Sequence, residues 1–287
     1  MSKKNSVALL TDSTATLPAE LTKEYPIEIV LQHIIWGTED MLDLKDITAK
    51  AFYARLATDP VHPKTSQPPA QEFLNYINQA KRDGAEEAVV LTVSSKLSGT
   101  YQSAMQAAEM TDFPVHVFDS RSLGMGLGWQ VIAAARAREA GGDAKAMISA
   151  AEAVRERICM MLTVDTLDYL HKGGRIGTAA KWAGSLLDLK PQLVVNQVSG
   201  LVERGSASRT RKKAVEATYN AFFEKIAGGK KVHVVVHHAA ALLEAETWAT
   251  QIRGEYPTAE VYLNELSPVL GVHGGPGTLA LCGYSEE

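Results

Sequence analysis

The chain of 287 residues is poor in cysteine, with only Cys159 and Cys282. Two thiols cannot build a disulfide framework or, alone, a zinc cage, and they suit a reducing interior. Long apolar runs are lacking too, since none approaches the roughly 20 residues that a membrane-spanning helix needs. Lys3 and Lys4 precede Val7 to Leu10, but that run gives way at once to Thr11-Asp12-Ser13. It reads as a strand and its loop rather than a secretory leader. The expected location is the cytoplasm, with at most transient contact at a membrane surface. Charge of one sign is also scarce: the formal net charge is -4. The single short basic run, Arg209 to Lys213, reads as the solvated first turn of a helix, so nucleic acid is not an expected partner.

Several catalytic signatures are missing. There is no Gly-x-Ser-x-Gly elbow and no Gly-x-x-x-x-Gly-Lys-Ser/Thr loop. Gly124, Gly126 and Gly128 alternate after a strand, but the third glycine of a dinucleotide fingerprint would fall on Trp129. They suit close helix packing or the close approach of a ligand. His237 and His238 are neighbours on a strand and point to opposite faces, with no third ligand spaced for zinc. Neither a metal, nor a cofactor, nor a catalytic set is expected.

What is present is ordinary globular material, 46% hydrophobic and 22% charged, with length enough for two cores. Strand–loop–helix alternation runs from Val7 through Ala140, with strands at Val7–Leu10, Ile27–Trp36, Val89–Val93 and Pro114–Phe118. This predicts a parallel, doubly wound sheet. Helices are expected over Pro18–Tyr25, Asp46–Leu56, Ala70–Arg82 and Trp129–Ala140. Asp143 is expected to cap another, running to about Glu156 after Gly141-Gly142. A soft domain boundary near there gives domains 1–153 and 154–287. Beyond it, Pro191–Val198 and Leu201–Ala207 flank the turn Ser199-Gly200 and predict antiparallel pairing, hence a mixed α+β second domain. Further elements are expected at Ile158–Val164, Thr178–Leu187, Thr210–Ile226, Val232–Val236, Leu242–Tyr256 and Glu260–Leu266. The stretch Ser267 to Leu279 reads as an open, glycine-rich loop around His273.

One stretch invites a ligand. Val89 to Val93 is a buried strand that stops in Ser94-Ser95-Lys96-Leu97-Ser98-Gly99-Thr100-Tyr101, and a helix follows. A helix N-terminus has unpaired amide donors and partial positive charge, so the turn fits an anion. Read alone, though, the turn favours the commonest job of a serine at such a place, a simple helix cap made by Ser95 or Ser98. The three prolines around Pro63-Lys64-Thr65-Ser66-Gln67-Pro68 make a stiff loop that holds Thr65 in place.

Taken together, Thr11-Asp12-Ser13, the Thr65 proline loop, the hydroxyl turn, Asp119-Ser120, Gly173-Gly174-Arg175-Ile176 and His273-Gly274-Gly275-Pro276-Gly277 resemble, in this order, the DegV family. That family includes the fatty-acid-binding subunits of bacterial fatty acid kinases. The resemblance spans essentially the whole chain. It implies a lipid carrier that holds a long-chain fatty acid (palmitate, stearate or oleate type) in a buried tunnel between two domains. It implies carboxylate ligation by Thr65 and Ser95, with Ser66, Ser94, Arg175, His273 and Gly274 near the carboxylate or phosphate-transfer end. The loop bearing Gly126 and Gly128 would border the tunnel. A separate ATP-binding fatty acid kinase is the implied partner. The alternative is a stand-alone acyl-transfer or hydrolytic enzyme using Ser95 and His273.

Overall fold

The computed structural model describes residues 6–182, 189–226, 229 and 231–286. In chain order the first elements are β1 (Val7–Asp12), α1 (Ala19–Glu24), β2 (Glu28–Val30), β3 (His33–Trp36), β4 (Glu39–Leu42), α2 (Ala49–Leu56) and β5 (Lys64–Ser66). Next come α3 (Ala70–Arg82), β6 (Glu87–Thr92), α4 (Thr100–Glu109), β7 (Val115–Asp119), α5 (Met125–Glu139) and α6 (Ala144–Arg155). After them lie β8 (Cys159–Thr163), α7 (Asp168–Lys172), a 3-10 turn (Gly177–Trp182), β9 (Lys190–Asn196) and β10 (Leu201–Ser208). The last are α8 (Arg211–Ile226), β11 (Val232–His238), α9 (Leu242–Glu255), β12 (Glu260–Glu265), α10 (Pro268–Gly274) and β13 (Leu279–Ser285).

The chain divides into two compact units. The first comprises Met1–His33, Ser66–Glu156 and Gln197–Gly200; the second comprises Ile34–Thr65, Arg157–Asn196 and Leu201–Glu287. The change at Glu156 lies close to the boundary expected at 153/154. The units are nevertheless not two continuous halves, because 34–65 leaves the first to join the second.

The first unit is built on a parallel sheet in the order β2-β1-β6-β7. Its strands are apolar on both faces, as a sheet covered on two sides requires. Leu10, Ala88 and Val90 pack with Phe73 and Ile77 of α3 and with Ala104 and Ala107 of α4. Strand alternation turns Leu9, Val89 and Leu91 the other way, and α5 and α6 pack against that part of the sheet. The α5 helix is buried nearly all round, including Trp129, Val131 and Ile132, so no polar face was needed in its sequence. Asp143 caps α6 as expected, its side chain accepting from Ala146 N at 2.8 Å.

The second unit centres on a six-stranded mixed sheet in the order β10-β9-β8-β13-β11-β12, in which only β11 and β12 run parallel. The predicted hairpin is present, and Gly200 takes the left-handed backbone that its tight turn requires, φ 72°. One face of the sheet, with Met161, Val234, Val236 and Leu281, packs against Phe222 of α8 and Trp248 and Ile252 of α9. A separate three-stranded sheet, β4-β3-β5, joins α2 over a core of Trp36, Phe52, Tyr53, Leu266 and Val272. Two hydrogen bonds fasten it: Tyr53 Oη donates to Leu266 O at 3.1 Å, and Val269 N donates to Asp43 Oδ1 at 3.1 Å.

The structure departs from the sequence-based expectations at five places. Ile27–Trp36 is not one strand: it breaks at Leu31-Gln32 into β2 and β3, which belong to different sheets. Strands β4 and β5 are additional, and β5 places Thr65 on a strand inside the proline-rich segment. The helix starting at Trp129 begins instead at Met125. The helix expected at Thr178–Leu187 is a 3-10 turn over Gly177–Trp182, and 183–188 lie outside the described residues. Finally, the supposed loop after Ser267 is helix α10, with Pro268 in its first turn, followed by β13.

The last of these matters most for stability, because β13 lies between β8 and β11 and joins the two parts of its sheet. Gly283 on β13 has no room for a side chain, since a Cβ there would overlap the carbonyl oxygen of His233. Gly283→Ala should destabilise the chain by roughly 2–4 kcal/mol through strand displacement. Urea unfolding of the variant checks this, and an unchanged midpoint would show that β13 is not a rigid sheet centre.

Candidate carboxylate site

The strand order of the first unit marks a place for ligands. From β1 the chain moves to β2 on one side, then returns to β6 on the other. At such a reversal, the loops beyond the carboxyl ends of the two central strands diverge and leave a crevice. Thr11-Asp12-Ser13 ends β1, and the hydroxyl turn Ser94 to Thr100 follows β6.

A buried carboxylate ties these two ends together. Asp12 Oδ1 accepts from Thr14 N at 3.0 Å and Thr14 Oγ1 at 2.5 Å, while Oδ2 accepts from Val93 N at 2.8 Å. Burial pushes the Asp12 carboxyl above its usual range, opposed by the hydrogen bonds from Thr14, Val93 and Gln32. Gln32 extends the network: its N donates to Ser13 Oγ at 3.1 Å, and its Nε2 donates to Thr100 Oγ1 at 2.9 Å. Thr100 Oγ1 in turn lies 2.9 Å from Ser98 Oγ. The expected capping role of Ser98 is present in a loose form, its Oγ accepting from Thr100 N at 3.3 Å, while Gly99 occupies the N-cap position of α4.

The two serines between these fixtures have different fates. Ser94 is fully buried, donates to Gly200 O at 2.7 Å and accepts from Lys96 N at 3.2 Å. Ser95 is exposed, and both of its donors go to one side chain. Its N donates to Asp119 Oδ1 at 3.1 Å and its Oγ to Asp119 Oδ2 at 2.5 Å. Asp119 Oδ1 also accepts from Arg121 N at 2.9 Å. In this structure the Ser95 hydroxyl and amide are thus taken up by a carboxylate of the chain itself, that of Asp119.

The second unit carries the other candidates. Thr65 Oγ1 and His273 Nε2 share a hydrogen bond of 3.0 Å, although 208 positions separate them. His273 lies in the last turn of α10, not in an open loop. Its Nδ1 is buried without a hydrogen-bond partner among the described residues. Gly173 makes this position possible: a Cβ there would overlap His273 Nδ1. Arg175 turns back on the same loop, its Nη1 donating to Gly173 O at 2.7 Å. Gly274 and Gly275 are held near Thr278 Oγ1, whose one proton has both their carbonyl oxygens within reach, at 2.8 and 2.9 Å. His62 and Tyr169 add rings beside this cluster, 5.7 Å apart at their centroids.

Of the residues named from the sequence, Thr65, His273, Arg175 and Gly274 thus gather in the second unit, and Ser94 and Ser95 on one turn of the first. Ser66 is exposed, and its hydroxyl makes a 3.4 Å hydrogen bond to Gln67 O. Gly126 and Gly128 do not form a loop; both are buried in the first turn of α5, where a Cβ on Gly128 would overlap Met125 Sδ. Close packing therefore accounts for Gly128. Asp119 and Gly173 lie in motifs that carry the family resemblance, yet no role for either follows from the sequence, and His62 and Tyr169 carry no local signal at all.

His273 should be a neutral imidazole. Desolvation, then the positive charge of Arg175 and the proximity of His62, lower it to about 4. The unfolded chain therefore binds this proton first as pH falls from the ordinary histidine value of about 6.5, so stability is lost between there and pH 4. Ring ¹⁵N shifts recorded from pH 7 to 4 should show His273 neutral at pH 5.5, and titration near 6.5 would contradict its desolvated placement.

Comparison with known proteins identifies the family and the fold. A family model described as "Uncharacterised protein, DegV family" matches residues 6–286. A DegV domain-containing protein of Streptomyces coelicolor is 35% identical over 277 residues, covering 96% of this chain and 97% of the relative. A Thermus thermophilus DegV family protein, whose structure is described for fatty acid binding, superposes with a TM-score of 0.90 at 30% identity, covering 97% and 99% of the two chains. The fatty acid binding protein DegV of Bacillus subtilis superposes with a TM-score of 0.89 at 29% identity, covering 98% and 99%. With the family model spanning nearly all of it, the chain belongs to the DegV family.

Proposed function

We propose that this chain binds a long-chain fatty acid, of palmitate, stearate or oleate type, and presents the carboxylate to a separate fatty acid kinase. The observation that carries the reading is the Thr65–His273 pair in a chain that shares its fold, at about 30% identity, with fatty-acid-binding relatives. Thr65 in the second unit and Ser95 in the first each offer a hydroxyl of the kind that binds a carboxylate. A charged acceptor strengthens such bonds, so no cationic clamp is required. Burying an acyl chain of about 16 carbons contributes roughly 12 kcal/mol at ~0.8 kcal/mol per CH₂. Association and ordering offset part of it. The chain would supply affinity and the polar end orientation.

Phosphate transfer belongs to the partner in this reading. The sequence has no nucleotide-binding loop of the Walker type. Arg175 and His273 would meet the acyl phosphate or the kinase. A stand-alone acyl-transfer enzyme would pair Ser95 with His273 as its base. The hydrogen bonds do not favour that pairing, because the Ser95 hydroxyl goes to Asp119 and His273 Nε2 goes to Thr65.

Native mass spectrometry of protein purified from bacterial cells should show a retained long-chain fatty acid, identifiable after lipid extraction. An empty protein that also refuses added palmitate or oleate would overturn the assignment. Thr65→Ala and Ser95→Ala should each weaken binding by about 1–3 kcal/mol, the value of one hydrogen bond to a charged group. His273→Ala should retain fatty acid while losing phosphorylation in an assay coupled to the kinase; equal loss of both would refute this division of roles.

A further inference from the structure

Asp119 stands where the expected ligand group should be bonded. Its carboxylate takes the Ser95 amide and hydroxyl, the very donors that the fatty carboxylate is proposed to use. A serine hydroxyl has one proton, so it donates to one acceptor at a time. At 2.5 Å that proton is firmly committed to Asp119 Oδ2.

The Asp119 carboxylate is in no ion pair among the described residues; its remaining bond comes from Arg121 N. Arg155 approaches the same residue but donates to its backbone carbonyl at 3.2 Å. The Arg155 guanidinium is otherwise engaged with Glu152 at 2.6 Å and lies over the Phe118 ring at 4.8 Å. A second carboxylate arriving at Ser95 would meet a like charge at short range, besides competing for the hydroxyl proton.

We infer that Asp119 is a positioning residue that limits affinity: it holds the Ser95 hydroxyl in place, and binding a fatty carboxylate requires that proton to be given up. This rests on Ser95 as a carboxylate donor. It provides a built-in means of release, because a headgroup that loses its grip on Ser95 is replaced at once by Asp119. A ligand with an uncharged polar end, such as a fatty alcohol, would not meet the repulsion.

The isosteric Asp119→Asn tests this directly. Its amide oxygen still accepts from the Ser95 and Arg121 backbones, its NH₂ donates to Ser95 Oγ, and the hydroxyl proton becomes free for the ligand. Binding of the fluorescent fatty acid cis-parinarate is measured for the native chain, Asp119→Asn, Ser95→Ala and the double variant, with displacement by palmitate and by hexadecanol. Asp119→Asn should bind palmitate about tenfold tighter, the scale of one screened like-charge contact near a surface. Hexadecanol affinity should be unchanged, and on a Ser95→Ala background, where the competition for the hydroxyl proton is gone, the gain should shrink to the part that comes from the like-charge contact alone. Asp119→Ser, which also removes the charge, should show the same sign and stands in if the asparagine variant does not fold. Equal or weaker palmitate binding in the folded charge-removed variants, while Ser95→Ala still weakens it, overturns the role of Asp119 and leaves the carboxylate site intact. No loss in Ser95→Ala overturns instead the assignment of Ser95 as a ligand donor.

Discussion

The carboxylate of Asp12 is fully buried, and it joins two strand ends that would otherwise diverge. Leaving water costs a charged group heavily unless donors replace the lost solvent. Here Thr14 and Val93 replace it, and in doing so they fix where β1 ends and where the turn after β6 begins. Gln32 then links the loop after β2 to Thr100 at the start of α4. The hydroxyl turn is thus held from below by a closed polar network. Such a network is rigid when fully satisfied and costly when any member is lost. The position of Ser95 follows from it.

The two clusters of candidate residues are built on different principles. Around Ser95 the backbone amides and hydroxyls of a parallel-sheet edge do the holding, an arrangement suited to anions. Around His273 the geometry depends on absent side chains: Gly173 admits the imidazole, and Gly271 admits Phe52 and Tyr53 against α10. A neutral histidine bonded to a threonine can exchange donor and acceptor roles without acquiring charge.

How far the sequence reveals this depends on whether each signal is local. The amphipathic spacing of Phe73, Ile77 and Ala80 marks α3, and Asp143 marks the start of α6; the structure agrees with both. The hydroxyl turn and the hairpin at Gly200 were equally readable, because turn chemistry is written in neighbouring residues. The pattern Ile27–Trp36 was misleading because β propensity does not say when a chain changes sheet. The region after Ser267 was misread for a related reason: its glycines suggested a loop, whereas Gly271 and Gly274 sit within α10 because tertiary neighbours leave no room for larger residues. The bonds Thr65–His273 and Ser95–Asp119 are long-range pairings, and nothing in local composition encodes a partner 208 or 24 positions away.

The order of strands in the six-stranded sheet has a consequence in time. Strands β8, β9 and β10 can pair with one another as soon as they are made, and β11 can pair with β12. Neither group can meet the other before β13, which follows all of them in sequence, inserts between β8 and β11. The early stretch 34–65 waits longer still, since its core is completed by Ala239, Leu266 and Val272. Contacts this distant are slow to form, and unpaired strand edges stay open meanwhile. A nascent chain of this protein would therefore assemble its first parallel sheet early and remain exposed to misassembly until its final strand is in place.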